Sequence, residues 1–412
     1  GSSGIKKEEL DEMFSYVKEL SFYYYDKNIK QDNFDNLWDF NASFCHSYGR
    51  KIDVKNKLVK LVKAKILDYC PKNELYSFKY PYIYYFFIAK YLADSLNESP
   101  TQLIIKELIE SLEKNKNMSI LMFLTHHSKD RTILDAIVNK AKSVFEPYEK
   151  ANLDLDSMFI DNIMKTLPQF TYEPKDSDSH EYRLKVEENK DVVHGDDESE
   201  YEDSEDYNHS DSGAQHLIKE LNLTFKSLEL LGQLARNYYC SLKVEDKTRL
   251  IDEAISSPLR GVGALFKIIN EDPEETIGLI KHNMEKNLSE NVSVSKEDLD
   301  KLAREALFSL LANISFSFIN KIATSIGNVK LMPVIEKLTH DNPTNSYHLI
   351  HLATKLDMGT FISPEIIKRI VDKIDQNSIS STLVSGMIIN YLYMFEVNDK
   401  VVQKLCKIGN IR

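Results

Sequence analysis

Apolar positions recur at helical spacing along most of the chain, and the clearest departure lies between Ile66 and Tyr80. Met13, Val17, Leu20 and Tyr24 stand three or four apart and predict a helix over Ile5–Asn28. Phe34, Leu37, Trp38 and Phe44 predict a second helix over Asp32–Tyr48, closed by Gly49 in a left-handed cap. Asp53 is placed to cap a third helix, which carries Leu58, Leu61 and Val62 and passes into a strand near Leu67. Pro71-Lys72-Asn73-Glu74 then makes a hairpin turn, and Tyr76 to Tyr80 alternates as the returning strand. Pro81 fits the first turn of a helix, because the backbone donor it lacks has no partner there anyway. That helix is expected over about Pro81–Leu96, buried almost all round, since its aromatic sequence shows no polar face. Helix, strand, turn, strand, helix is the layout of a winged-helix unit.

From Thr101 onward the helical rhythm is nearly continuous. Leu103, Leu108 and Leu112 mark one helix; Ser119–His127, Arg131–Phe145 and Asp156–Leu167 mark others. After Ala214, Leu217, Leu221, Phe225, Leu228, Leu231 and Ala235 form one long face. Leu299, Leu302, Ala303, Ala306, Leu307, Leu310, Ile314 and Phe318 form another, with Ser295 to Asp298 as a capping-box variant. Pro258, Pro273, Pro333, Pro343 and Pro364 are expected at or near helix starts. Met387–Phe395 makes the penultimate helix. The expected fold class is mainly α: a small winged-helix-like unit with a β-hairpin, then an array of antiparallel helix pairs. The expected divisions are a cloning scar at 1–4, a winged-helix-like domain at 5–98, a first helical block at 99–173, an acidic disordered linker or loop at 174–213, and a second helical block at 214–412.

Charge sharpens one of these divisions. The net charge is −12, and 176–211 alone holds 15 acidic and 3 basic residues, so the rest balances 49 against 49. A segment that polar cannot offset its ordering entropy by burial. A solvated linker is the plain reading of it; a polyanion that shields a basic face until a partner arrives is the sharper one. Only 13 glycines and 11 prolines interrupt 412 residues, which favours helices over turns. No apolar run is long enough to span a bilayer, so no membrane partner is expected. Cys45, Cys70, Cys240 and Cys406 stand far apart beside apolar neighbours and are expected free and mostly buried, which fits a cytoplasmic protein. The chain opens on Gly1-Ser2-Ser3-Gly4 without an initiator methionine, and is therefore expected to begin inside a longer protein.

The stretch from Leu58 to Leu67 and the stretch Leu75–Leu96 together carry a resemblance. They look like the winged-helix segment that closes the nucleotide-binding module of STAND NTPases, the NACHT and apoptotic-ATPase-like class of signalling ATPases, bacterial members especially. In that family a strand Phe-x-His leads into a helix ending Phe-x-Ala; Phe78 and Ala89 fall at the ends of the pattern. Tyr80 stands where many relatives place a nucleotide-sensing histidine, a departure that puts phosphate sensing there in question. The stretch from Leu228 to Ile269 resembles a helical segment near the C-termini of bacterial STAND proteins.

The resemblance implies a non-catalytic sensor and regulatory region of a signalling ATPase. Its partners would be a nucleotide-binding module upstream, a trigger protein encoded by phage, and further copies of the full-length protein on activation. ATP or ADP with Mg belongs, on this reading, to the parent and not to this piece. Lys79, Tyr80 and Tyr82, at the strand-to-helix junction, are the candidate interdomain latch.

Catalytic and metal signals are weaker than their structural readings. The glycine cluster Gly261-Val262-Gly263 precedes Lys267 without the glycine and hydroxyl of a phosphate-binding loop, so a helix-packing site is expected, and no enzyme activity. His348 and His351 lie one turn apart, but two imidazoles alone seldom hold a metal. His126 and His127 sit near a helix end, where the dipole favours them. Lys55, Lys57, Lys60, Lys63 and Lys65 form a basic strip, the feature behind the alternative reading, a winged-helix DNA-binding transcription regulator with a helical ligand-sensing domain. The aromatic helix that follows and electrical neutrality elsewhere argue against DNA, so it is not expected as a partner.

Overall fold

The computed structural model describes residues 7–163, 169–173, 212–287, 295–359 and 362–412. The scar at 1–4 and the acidic linker, apart from 212–213, fall outside them. The fold is mainly α, with one small antiparallel sheet, and divides into two units, 1–137 and 138–412.

The first unit runs α1 (Lys7–Asp26), β1 (Gln31–Asn33), α2 (Phe34–Tyr48), α3 (Val54–Lys63), β2 (Leu67–Cys70), β3 (Leu75–Phe78), α4 (Pro81–Asp94), α5 (Ser99–Glu110) and α6 (Asn115–Ser128). Local chemistry sets several boundaries. Asn33 accepts the Asn36 amide at the start of α2, Asp53 accepts the Asn56 amide at the start of α3, and Gly49 ends α2 at φ +59°. The sheet order is β1-β3-β2, with Leu67 opposite Phe78 and Gln31 opposite Ser77. Its core is built on α1: Tyr16, Val17, Leu20 and Tyr24 are buried with Leu37, Phe44, Leu58, Leu61 and Leu67. Beyond it α6 packs on α4, with Phe86 meeting Phe123 edge-on at 5.6 Å.

α7 (Arg131–Ser143) carries the boundary between the units. The second unit continues with α8 (Met158–Ile163), α9 (Ser212–Asn237), α10 (Val244–Glu271), α11 (Pro273–Asn287), α12 (Lys296–Ile326), α13 (Met332–Asp341), α14 (Asn345–Asp357), α15 (Pro364–Val371), α16 (Ser378–Met394) and α17 (Asp399–Ile408). α9, α10 and α12 pack on one another, and α14 lies between α12 and α16 with Leu349, Ile350 and Leu352 buried. The connection from 145 to 157 is threaded through this bundle. Leu153, at φ +59°, offers a carbonyl that accepts from Asn345 Nδ2 (2.9 Å), Asn377 Nδ2 (2.6 Å) and Ser380 Oγ (3.2 Å). Gly263 admits the Glu149 carbonyl, which would lie 2.1 Å from an added Cβ, so the glycine pair on α10 is a packing device. α12 is long and apolar enough to cross a membrane by composition, and half of its apolar window is buried in the protein.

The structure corrects five expectations. Gln31–Asn33 is a strand, not the first turn of α2, because the Asp32 carboxylate is held by Tyr23 Oη (2.8 Å) and Asn36 Nδ2 (2.6 Å). α4 is not buried all round: Pro81 and Tyr82 face water, and burial is full only from Phe87 to Ala89 and at Leu92. Pro258 lies inside α10, where burial of Ala254, Ile255, Leu259 and Val262 holds the helix through a residue that costs about 3 kcal/mol in a helix interior. Leu302 and Leu310 are exposed on α12, outside the face assigned to them. Cys70 and Cys240 are exposed, with Cys45 and Cys406 partly buried, since apolar neighbours in sequence alternate sides on strands and helices.

Candidate functional site

The junction between β3 and α4 brings Lys79, Tyr80 and Tyr82 onto one ledge of the first unit. The hairpin is closed there by the Lys79 amide, which donates to the Ile66 carbonyl at 2.9 Å. With its backbone fixed, Lys79 sends its ammonium to 3.7 Å from Asp68 Oδ1, an exposed pair across β2 and β3. Tyr80 is the N-cap of α4 with extended backbone, and its carbonyl accepts from the amides of Ile83 (3.1 Å) and Tyr84 (3.3 Å). Its side chain makes no capping bond. It stacks instead on Tyr82, with ring centroids 5.5 Å apart and planes 20° from parallel. Tyr82 is 59% exposed.

The ledge rests on a column of buried and partly buried aromatics. Phe78 packs against the core, where it meets Tyr24 edge-on at 5.5 Å and Tyr84 at 5.0 Å. Tyr24 donates its hydroxyl to the Tyr76 carbonyl at 2.9 Å, which ties α1 to β3. Burial pushes the phenols of Tyr24 and Tyr84 well above their usual range, so both stay protonated. Ala89 is fully buried lower on α4. Lys79 and Tyr82 are exposed and Tyr80 is half-buried, over aromatics that pack into the core, an arrangement suited to binding another surface. Asp68, the partner of Lys79, escaped the sequence reading; the signal for it was the register of the hairpin, which four turn residues at 71–74 already imply.

The other candidates lie elsewhere. His348 is buried on α14, and His351 lies 3.7 Å from Glu336 Oε1 of α13. Burial pushes the His351 imidazole down to about 4, against the pull of Glu336. Among the described residues no three His, Cys, Asp or Glu side chains are grouped to hold a metal ion. His127 packs edge-on against Phe86 at 4.7 Å near the end of α6, and burial lowers its pKa. Lys57 leaves the basic strip altogether: it is buried, with its ammonium 2.5 Å from Glu12 Oε1.

The sheet, the two helices packed beside it and the ledge lie in a stretch similar to STAND NTPases. Residues 31–88, from β1 to the middle of α4, match the family model described as Novel STAND NTPase 4, which supports a STAND-associated role. No curated protein and no solved structure matches the chain.

Proposed function

We propose that this chain is a non-catalytic sensor and regulatory region of a STAND-type signalling ATPase, with the first unit as its winged-helix module. The observation that carries the reading is the element order α1-β1-α2-α3-β2-β3 with sheet order β1-β3-β2, within which residues 31–88 match the family model. In this reading the ledge of Lys79, Tyr80 and Tyr82 is the latch against a nucleotide-binding module of the parent protein, where ATP or ADP and Mg are held. The helices of the second unit receive a trigger protein, phage-encoded if the parent serves in antiphage defence in the bacterial cytoplasm. Trigger binding favours the open state, and self-association follows. Such a switch needs the trigger to bind one state better than the other; tight binding to both shifts nothing.

The test is made in the full-length parent. Tyr80→Ala with Tyr82→Ala removes the stacked pair and leaves the buried column intact. Loss of the closed state should raise basal nucleotide exchange by about tenfold, the equivalent of about 1.4 kcal/mol of latch energy. Exchange unchanged in both the resting and the triggered protein, with the circular dichroism spectrum of the native fold, would exclude the latch.

A further inference from the structure

The geometry points to a conformational device in the second unit: α11 is a displaceable cover on α12, held by an electrostatic clasp more than by burial. The inference rests on the packing of that unit alone and not on the proposed signalling role. α11 has 15 residues, all of them described, and of these Ile277 alone is buried. α14, by contrast, buries ten of its 13. Hydrophobic stabilisation grows with the apolar area removed from water, so α11 gains little of what anchors α14.

Charge takes the place of burial. Glu274 and Lys281, two turns apart on α11, meet Asp300 and Arg304, one turn apart on α12. Arg304 forks onto Glu274, with Nη1 donating to Oε1 at 2.9 Å and Nη2 to Oε2 at 2.8 Å. Its Nε donates to Asp300 Oδ2 at 2.8 Å, and Lys281 Nζ donates to Asp300 Oδ1 at 2.8 Å. Signs alternate along the row Glu274, Arg304, Asp300, Lys281, so no two like charges are neighbours in it. The hydrogen bonds from Lys281 and Arg304 hold the Asp300 carboxyl down to about 2, and the clasp stays charged throughout the neutral range. It is also solvated: the Glu274 side chain is 69% exposed and none of the other three is buried. Solvated pairs are individually weak and are screened by salt; a bidentate arginine inside a network is the arrangement in which they count.

The clasp runs beside an apolar seam. Ile277 lies between Glu274 and Lys281 in the same three-to-four rhythm, and Leu299 and Ala303, one residue before Asp300 and Arg304, are buried on α12. α11 can leave that seam without melting. α10 ends at Glu271 and α11 begins at Pro273, which leaves Asp272 as the joint. The Asp272 carboxylate accepts the Glu275 amide at 2.9 Å, so the cap of α11 comes from its own stretch of chain and not from α12. Pro273 has no backbone donor to carry α10 onward, and its fixed φ suits the first turn of α11. Rotation about Asp272 opens Leu299 and Ala303 beside Leu302 and Leu310, which already face water.

The experiment is amide hydrogen exchange on the full chain, read by mass spectrometry of peptides from α11 and α14. It is run at about 0.1 M and about 1 M sodium chloride, between which the screening length falls from about 10 Å to about 3 Å. Exchange in α11 should be about tenfold faster at the higher salt, with α14 unchanged. Arg304→Met removes three of the four hydrogen bonds and keeps the length of the side chain. It should bring α11 to the fast rate already at low salt and leave little further response. Ile277→Val should speed exchange at both salts and keep the ratio between them, because it thins the seam and spares the clasp. Three results overturn the inference: α11 equally protected at the two salts, α14 losing protection in step with α11, or Arg304→Met showing the wild-type salt response with the circular dichroism spectrum of the native fold.

Discussion

Single residues in this protein act mainly through what they would leave behind if changed. Lys57 and Glu12 form a pair in which the lysine is buried and the glutamate is at the rim. Glu12→Ala strands the ammonium and should cost about 3 kcal/mol, whereas Lys57→Met combined with Glu12→Gln should be close to neutral. Urea unfolding of the two variants reads the difference directly. Gly263 has a different kind of constraint. Gly263→Ala drives a methyl against the Glu149 carbonyl, an atom of backbone that cannot swing away, and should cost about 3 kcal/mol by the same measurement. At Gly278, where nothing lies within 4 Å of the added Cβ, the same change should be neutral or slightly stabilising, since alanine is the better helix former.

At the scale of elements, the pairing of α13 with α14 carries a pH response. Facing His351 are Glu336 from α13, with Lys355 and His348 on its own helix and Lys373 beyond. The folded imidazole is pushed down to about 4 while the unfolded one titrates near 6.5, so the unfolded chain binds more protons between these values. Stability is therefore complete above about pH 6.5, falls as the pH drops, and levels off below about 4, a loss of at most about 3 kcal/mol. His351→Gln should flatten that segment of the stability profile relative to wild type; parallel profiles for the two proteins would refute the assignment. Elements were also where the sequence was most readable. The caps at Asp53, Gly49 and Ser295 and the proline start of α4 act through neighbours a few residues away, so spacing alone locates them. β1 was hidden because its reason is distant: Asp32 is fixed by Tyr23 of α1, and Gln31–Asn33 pairs with Leu75–Ser77. Pro258 was misplaced for a related reason, since the burial that carries a helix through a proline comes from other helices. Of the candidate ledge, the position at the strand-to-helix junction was legible, but the Tyr80 stacking and the Asp68 partner needed the hairpin register.

For the whole molecule, charge and exposure have to be counted by surface and not by chain. The total of −12 conceals a balanced remainder, and that balance in turn conceals an α3 arc with no acid on it. The basic strip of five lysines was visible in the sequence, but the inward turn of Lys57 was not, because helical spacing says which residues share a face and not which face is buried. A family match confined to 31–88 says still less about the second unit, whose helices must be probed for partners on their own account.

One practical consequence concerns where such a protein should be cut. The matched region begins at Gln31, yet Tyr16, Val17, Leu20 and Tyr24 in the helix before it fill the centre of the same core. A gene fragment started at the family boundary would discard that helix and leave its binding trough of leucines and aromatics open to water. It should express as an aggregating, poorly ordered peptide, with broad amide signals in a proton–nitrogen correlation spectrum. A fragment begun at Lys7 should give dispersed ones.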